Sequence, residues 1–240
     1  MKKALIIIAT YNEAENISFI IKKILEQNDY SDVLIVDDNS PDGTGNIVEE
    51  FSKKNNRVFL IGRKGKLGYG TAFIEGFDFA IEKNYEVVIS MDGDFSHNPD
   101  DINHFLKSMD NYDLIIGSRY IGGIRVINWP LRRLILSTAA NKYIKLITGL
   151  PFYDCTSGYR CYKTDILKKM NYKTIKSNGY SFLVELLYKA YKSKGKIKEI
   201  PIIFSERSGG KSKMSKKVIF EALFTPIICR LGLIRNSKTK

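Results

Sequence analysis

Two carboxylates separated by one glycine, Asp92-Gly93-Asp94, follow the apolar run Val87–Met91. Hard oxygen donors so spaced can hold Mg²⁺ or Mn²⁺ and leave the metal's open positions for the oxygens of a diphosphate. The glycine lets backbone and ligand approach closely. A second acidic pair, Asp37-Asp38, ends the run Val33–Asp37, where a carboxylate can accept hydrogen bonds from a nucleobase or ribose. Ser40-Pro41-Asp42-Gly43 behind it reads as a turn with a helix start, and the two roles are compatible. Gly65-Lys66-Leu67-Gly68-Tyr69-Gly70 resembles a phosphate-cradling loop but lacks the G-x-x-x-x-G-K-[ST] pattern. The first apolar run does not lead into G-x-G-x-x-G, which argues against a nicotinamide dehydrogenase.

These groups need a scaffold, and the first 120 residues supply one. Apolar runs at Ala4–Ala9, Val33–Asp37, Val58–Ile61, Val87–Met91 and Leu114–Gly117 alternate with helical spacing over Glu15–Gln27, Gly45–Lys54, Tyr69–Glu82 and Asp100–Met109. Ile- and Val-rich runs suit strands buried on both faces. The alternation predicts an α/β fold, a mostly parallel sheet with crossover helices on both faces. Ligands of such sheets bind beyond the carboxyl ends of the strands. Every exit carries polar, acidic or glycine-rich residues: Thr10-Tyr11-Asn12-Glu13, Asp37 to Gly45, Arg63 to Gly70, Asp92-Gly93-Asp94 and Gly117-Ser118-Arg119.

From residue 121 the character changes. Asn128–Leu146 reads as an amphipathic helical segment whose Trp129, Arg132 and Arg133 beside a Leu/Ile run suit the headgroup boundary of a bilayer. An ordinary helix with its apolar face on the core is the alternative. A helical stretch Ser181–Tyr191 and a strand-like run Lys198–Phe204 follow. Residues 207–217 are Gly/Ser-rich with five positive charges and no negative ones, which fits a mobile loop. The last apolar helix, Val218–Ile234, is interrupted by Glu221, Pro226 and Arg230, so it can lie on a membrane but not span one. The predicted organisation is a catalytic domain over 1–206 (donor half 1–120, acceptor half 121–206), a basic loop 207–217, and a C-terminal helix and tail 218–240.

Charge is divided as the chemistry is. Residues 1–120 hold 13 Lys/Arg against 20 Asp/Glu, net −7, and residues 121–240 hold 25 against 6, net +19. The basic half is expected to face a polyanion, either a nucleic acid or an anionic membrane surface. Three cysteines are too few and too badly spaced for a disulfide framework or a zinc site. No run reaches ~18 uninterrupted apolar residues. The apolar start leads into Thr10-Tyr11-Asn12-Glu13 without a cleavage site, so a buried strand and a cytoplasmic protein are expected.

The series Ala9-Thr10-Tyr11-Asn12-Glu13, Val36 to Thr44, Lys66-Leu67-Gly68-Tyr69-Gly70-Thr71-Ala72 and Met91 to His97 resembles the family 2 glycosyltransferases, and more narrowly the dolichol-phosphate (polyprenol-phosphate) mannose synthases. The likeness continues through Gly117 to Tyr120, Asn128-Trp129-Pro130 with Arg132-Arg133, Asp154 to Arg160, and Arg207 to Lys213, covering nearly the whole chain in one order. The resemblance implies a GT-A fold with C-terminal amphipathic interface helices, binding GDP-mannose with Mg²⁺ or Mn²⁺. It places Ala9, Tyr11, Glu13, Val36 and Asp38 around base and ribose. Asp92, Gly93 and Asp94 would hold metal and diphosphate, and Arg207 and Lys213 would close over the donor phosphates. Arg119, Arg133 and Ser137 would grip the acceptor phosphate, with Asp94, Arg119 and Arg133 as the catalytic set. Ala9 stands where the family usually has proline, and Gly93 where it has alanine. Ser96 stands where some members place a glutamine near the metal, and is the candidate third metal ligand. Members without transmembrane helices sit peripherally on the membrane or use a small membrane-anchoring partner. This chain is expected among them, on the cytoplasmic face.

A hydroxyl acceptor needs a general base, whereas a phosphate monoester is anionic near neutral pH and needs only cations to position it. The expected reaction is therefore an in-line displacement with inversion, giving a polyprenyl phosphate β-mannose from an α-linked donor. His97 and Asp154 are expected to be structural. Competing readings are a family 2 transferase using UDP-glucose or a glycan hydroxyl, a nucleotidyltransferase, and a nucleic-acid-binding protein. The last has only the net charge in its favour, and no nucleic-acid partner is expected.

Overall fold

A computed structural model of the chain describes residues 3–205 and 216–232. Its centre is a seven-stranded sheet in the order β3-β2-β1-β4-β7-β5-β8. Five strands arise from the apolar runs: β1 (Ala4–Thr10), β2 (Ser31–Asp37), β3 (Val58–Gly62), β4 (Val87–Asp92) and β5 (Leu114–Ser118). Leu5 to Ile8 and Val33 to Val36 are fully buried, and each such side chain stabilises the fold by about 2 kcal/mol. Crossover helices α1 (Ala14–Gln27), α2 (Thr44–Lys54), α3 (Tyr69–Glu82) and α4 (Ile102–Ser108) join them. One core cluster packs on each face of the sheet: Ile17, Ile20, Ile21 and Ile24 of α1 on one, Phe73 and Phe77 of α3 on the other.

The second half adds β6 (Val126–Ile127), α5 (Leu131–Thr148), β7 (Arg160–Lys163), α6 (Thr164–Met170), α7 (Gly179–Lys192), β8 (Ile197–Pro201), β9 (Phe204–Ser205) and α8 (Lys216–Arg230). Three findings differ from the expected pattern. The strand β7, which no apolar run announces, inserts antiparallel between β4 and β5. It escapes the pattern because it opens with a charge. Arg160 is fully buried, and its Nη1 and Nη2 donate to the carbonyls of Leu183 (2.7 Å) and Cys155 (2.8 Å). The run Lys198–Phe204 divides, with β8 pairing β5 and β9 leaving to form a two-stranded ribbon with β6. Finally, Lys216 and Lys217 of the expected loop begin α8. The remainder of that loop, with Arg207 and Lys213, lies outside the described residues, as does the tail from 233.

The helices α5 and α8 pack on each other and are inverted relative to a soluble helix. On α8, Thr225 and Cys229 face inward, while Phe220, Leu223, Phe224, Ile227 and Ile228 are exposed, as is Leu231 just beyond it. On α5, Asn141, Ile144 and Thr148 are buried, and Leu131, Ile135, Leu136 and Leu146 are exposed. The ordinary alternative, an apolar face turned to the core, is thus not realised. Pro226 breaks the amide ladder of α8, and the Tyr143 hydroxyl donates to the Leu223 carbonyl (2.7 Å) in that turn. Among the described residues no helix is long and apolar enough to cross a membrane.

Candidate active site

The loops leaving β1 and β2 are knitted together before any ligand is considered. Asp42 accepts from Ala14 N–H (3.0 Å) and from Thr44 N–H (3.0 Å), so one carboxylate serves the starts of both α1 and α2. Partial burial opposes its charge, but the Thr44 hydroxyl and these amides outweigh that and hold it below the usual carboxylate range. Asp37 is buried and accepts from the hydroxyls of Thr10 (2.8 Å) and Ser40 (2.6 Å).

Asp38 behaves in the same way. Its Oδ1 receives Arg63 Nη1 at 2.5 Å and its Oδ2 receives the Gly68 amide at 2.9 Å. Arg63 is buried and reaches on to the Gly68 carbonyl (3.2 Å) and Thr71 Oγ1 (2.6 Å). Both oxygens expected to receive base or ribose are therefore engaged in anchoring the glycine loop. The Val36 side chain is fully buried in the sheet core and does not line the site. Nearby, Lys66 Nζ stands 3.6 Å above the centre of the Tyr11 ring, a cation–π contact that places the glycine loop over the β1 exit.

A cavity of about 340 Å³ opens at this edge of the sheet. It brings together Ala9, Glu13, Asp92, Gly93, Asp94, Arg119 and Arg133 of the expected set, with Tyr69, His97, Thr156, Ser157, Gly158, Gly179, Tyr180, Leu183 and Phe204. A Cβ on Gly93 would lie 3.2 Å from Ile8 Cγ2, so this glycine seats Asp92 and Asp94 tightly against β1. The Tyr69 hydroxyl donates to Asp92 Oδ1 (3.3 Å). Ser96 is buried, and its hydroxyl (2.5 Å) and amide (3.1 Å) both donate to Asp94 Oδ1. It orients that carboxylate, the tight turn being completed by Phe95 at φ 60°.

Among the described residues no three His, Cys, Asp or Glu side chains cluster as a metal cage. Two partly exposed carboxylates at one cavity wall are nevertheless the donor set that suits a hard cation shared with phosphate oxygens.

The opposite wall is cationic. Asp154, fully buried, accepts from Arg119 Nε (2.7 Å), Nη2 (2.7 Å) and backbone N (3.0 Å). Burial opposes both charges, yet each outweighs that for the other, so Asp154 stays below and Arg119 above its usual range. The guanidinium centre of Arg119 lies 5.4–5.5 Å from the rings of Tyr120, Trp129 and Phe204, and that of Arg133 lies 4.1 Å from Trp129. Arg133, Ser137 and Asn141 follow one another at four-residue spacing along a single face of α5. Ser137 Oγ accepts from the Tyr120 hydroxyl (2.6 Å), which leaves its own proton to donate.

His97 bridges the two walls. Its ring is buried, stacked on Tyr159 and edge-on to Phe204, and Nδ1 accepts from Asp92 N–H (3.0 Å). Burial lowers its pKa despite the nearby aspartates, so it is neutral with its proton on Nε2. His97 and Asp154 thus each hold a neighbour, the Asp92 amide and the Arg119 guanidinium. The residues not anticipated are Arg63, Tyr69 and the 156–158 and 179–183 segments. Tyr69 sits inside the glycine loop, but nothing in the spacing tells that its hydroxyl meets Asp92.

The protein-family model described as Glycosyl transferase family 2 matches residues 5–170. The polyprenol monophosphomannose synthase of Mycolicibacterium smegmatis is 40% identical over 225 residues, covering 93% of this chain and 85% of that protein. The undecaprenyl-phosphate mannosyltransferase of Micrococcus luteus is 38% identical over 231 residues, covering 96% and 94%. Among solved structures, glucosyl-3-phosphoglycerate synthase from Mycobacterium tuberculosis with Mn²⁺ and UDP-glucose matches with a TM-score of 0.69 at 15% identity, over 98% of this chain and 81% of that one. That likeness is one of fold.

Proposed function

The chain belongs to glycosyl transferase family 2, and from that premise we propose that it moves mannose from GDP-mannose to a polyprenyl phosphate. One observation carries the reading: a single cavity sets the acidic pair Asp92/Asp94 against Arg119 and Arg133, beside two helices with outward apolar faces. The two relatives named for prenol-phosphate mannosyl transfer agree with it over nearly the whole chain.

In this reading Asp92 and Asp94 hold Mg²⁺ or Mn²⁺, which when bound neutralises the diphosphate of the leaving group. Tyr69 and Ser96 keep the two carboxylates in place. Arg119, fixed by Asp154, and Arg133, resting on Trp129, receive the acceptor phosphate with Ser137 donating beside them. The phosphate oxygen displaces the nucleotide in line, giving the β-linked product. Arg207 and Lys213 are assigned to the donor phosphates on sequence grounds alone. The exposed apolar residues of α5 and α8 seat on the bilayer that holds the acceptor, with Arg132 and Lys142, exposed on α5, facing anionic headgroups.

The test incubates purified protein with labelled GDP-mannose, Mg²⁺ or Mn²⁺ and a polyprenyl phosphate, and counts label in the organic phase. Chelator-sensitive labelling that is absent with unphosphorylated polyprenol is the expected result. An α-linked product would overturn the displacement. Labelling from UDP-glucose alone would overturn the donor.

A further inference from the structure

Asn178 sits between the membrane-facing helix and the acidic pair, and touches both sides. It precedes α7, and its Oδ1 accepts two backbone amides at once: Gly179 N–H at 2.9 Å and, across the fold, Gly70 N–H at 2.8 Å. One side-chain oxygen thereby serves the starts of α7 and α3. The fit is close. A Cβ on Gly68, whose φ is +104°, would fall 2.1 Å from Asn178 Nδ2, and one on Gly70 would fall 2.9 Å from the Phe182 ring. Between these glycines stands Tyr69, whose hydroxyl donates to Asp92 and whose ring packs on Phe73 at 4.7 Å. Where Asn178 holds Gly70, it fixes where the Tyr69 side chain begins.

The other side of Asn178 is tied to α8. Its backbone N–H donates to Glu221 Oε1 at 2.9 Å. Glu221 lies one turn before Thr225 and two before Cys229, on the inward face of α8. The outward face of the same turns carries Phe220, Leu223 and Phe224.

We infer that Asn178 is a positioning residue for the donor site, and that Glu221 makes its hold depend on the seating of α8. The inference rests on the reading above, in which Asp92 would hold the metal for the donor diphosphate and α8 meets lipid. A bilayer touching only the outer face of α8 then steadies the loop through Glu221, Asn178 and Gly70. Nucleotide is thereby bound more tightly where the acceptor resides. Coupling of this kind is reciprocal, so nucleotide must in turn strengthen membrane binding.

Backbone hydrogen exchange over residues 67–72 is the test, on the full chain with and without vesicles of phosphatidylcholine and phosphatidylglycerol. Asn178→Ala removes the acceptor of two hydrogen bonds, the one to Gly70 lying in this loop, and is expected to speed exchange there about fivefold, and to raise KM for GDP-mannose while leaving KM for polyprenyl phosphate unchanged. Asn178→Asp keeps the accepting oxygen and is expected to restore both. Vesicles are expected to slow exchange over 67–72 in the wild type but not in Glu221→Ala. Wild-type exchange in Asn178→Ala would overturn the positioning role. Vesicle protection retained in Glu221→Ala, or absent from the wild type, would overturn the link to α8. Should the protein not use GDP-mannose, the exchange data still decide both points, and only the donor assignment falls.

Discussion

Asp154→Asn is the substitution that asks most of this structure. Asp154 is fully buried and Arg119 is 5% exposed, so neither charge has water to fall back on. Asparagine keeps the shape but removes the charge and turns an N–H toward one of two guanidinium donors now held at 2.7 Å. Removing one partner of such a pair costs roughly 3–5 kcal/mol, because the other is left buried and uncompensated. For a chain of this size that lowers the melting temperature by about 10 °C. With Arg119 unfixed, KM for the polyprenyl phosphate should rise about tenfold, equivalent to about 1.4 kcal/mol. The double variant Arg119→Met, Asp154→Leu should regain part of the stability, since both charges leave together while the Arg119 backbone N–H loses its acceptor, and none of the acceptor affinity. The wild type should also lose stability in acid. The carboxyl is held below its ordinary value of 3.8 when folded, so the pair's contribution is complete above that value and lost as pH falls through the lower folded one. Urea unfolding of the three proteins from pH 7 to pH 2 measures the stabilities, and initial rates against polyprenyl phosphate measure the KM. A loss under about 1 kcal/mol in Asp154→Asn would refute the claim that the pair is dry.

Three shorter predictions accompany it. Asp94→Ala should abolish metal-dependent transfer and lower the melting temperature by only a few degrees, the buried Ser96 hydroxyl and amide losing their acceptor; transfer retained under chelation would contradict the metal assignment. Leu223→Glu with Phe224→Glu should weaken vesicle sedimentation by at least about tenfold, two apolar anchors being worth ~3 kcal/mol, with no fall in melting temperature since both side chains already face solvent. His97 is kept neutral by burial, so below about pH 6.5 the unfolded chain takes up a proton that the folded chain refuses. Stability should therefore fall between pH 7.5 and 5.5, and the slope should flatten in His97→Gln, as chemical denaturation at the two pH values would show.

The donor half was legible because its information is local. Five runs of Ile and Val lie on the sheet, each within a residue or two of where alternation and burial place it, and each exit delivers its polar group to one edge. The acceptor half was less legible because its strand β7 is fastened by a buried arginine, and its helices turn apolar residues outward. The site shows the same division. Residue types at the sheet edge pointed to Asp92 and Asp94 and the family resemblance to Arg119 and Arg133, and the structure gathers the four in one cavity. Composition and spacing did not tell which acids were already committed. Asp38 is buried with Arg63 and the Gly68 amide on its two oxygens, whereas Asp92 receives the Tyr69 hydroxyl and lines the cavity, and the partners of Asp38 arrive from 25 and 30 residues away.

The same commitments decide what kind of nucleophile the cavity can serve. A sugar hydroxyl would need a side chain free to take its proton. His97 uses Nδ1 on the Asp92 amide and carries its proton on Nε2, and Asp154 is spent on Arg119. Asp94 receives Ser96, Asp92 receives Tyr69, and Glu13 receives the Asn16 amide at 3.2 Å. Each acid or base described in the cavity thus has a positioning role, and Asp92 and Asp94 would in addition hold the metal. A phosphate monoester needs no base, since its second ionisation near pH 6 makes it a dianion in neutral solution. The limiting titration in the rate should then belong to the acceptor. Transfer should be level above about pH 7 and fall below about pH 6. A prenyl phosphonate, whose second ionisation lies higher than the phosphate's, should carry the acid limb upward with it. Initial rates for the two acceptors across pH 5 to 8 separate the cases. A limb that moves with the acceptor means the substrate brings its own charge, whereas one that stays put would mean a side chain titrates and that this assignment of the cavity is wrong.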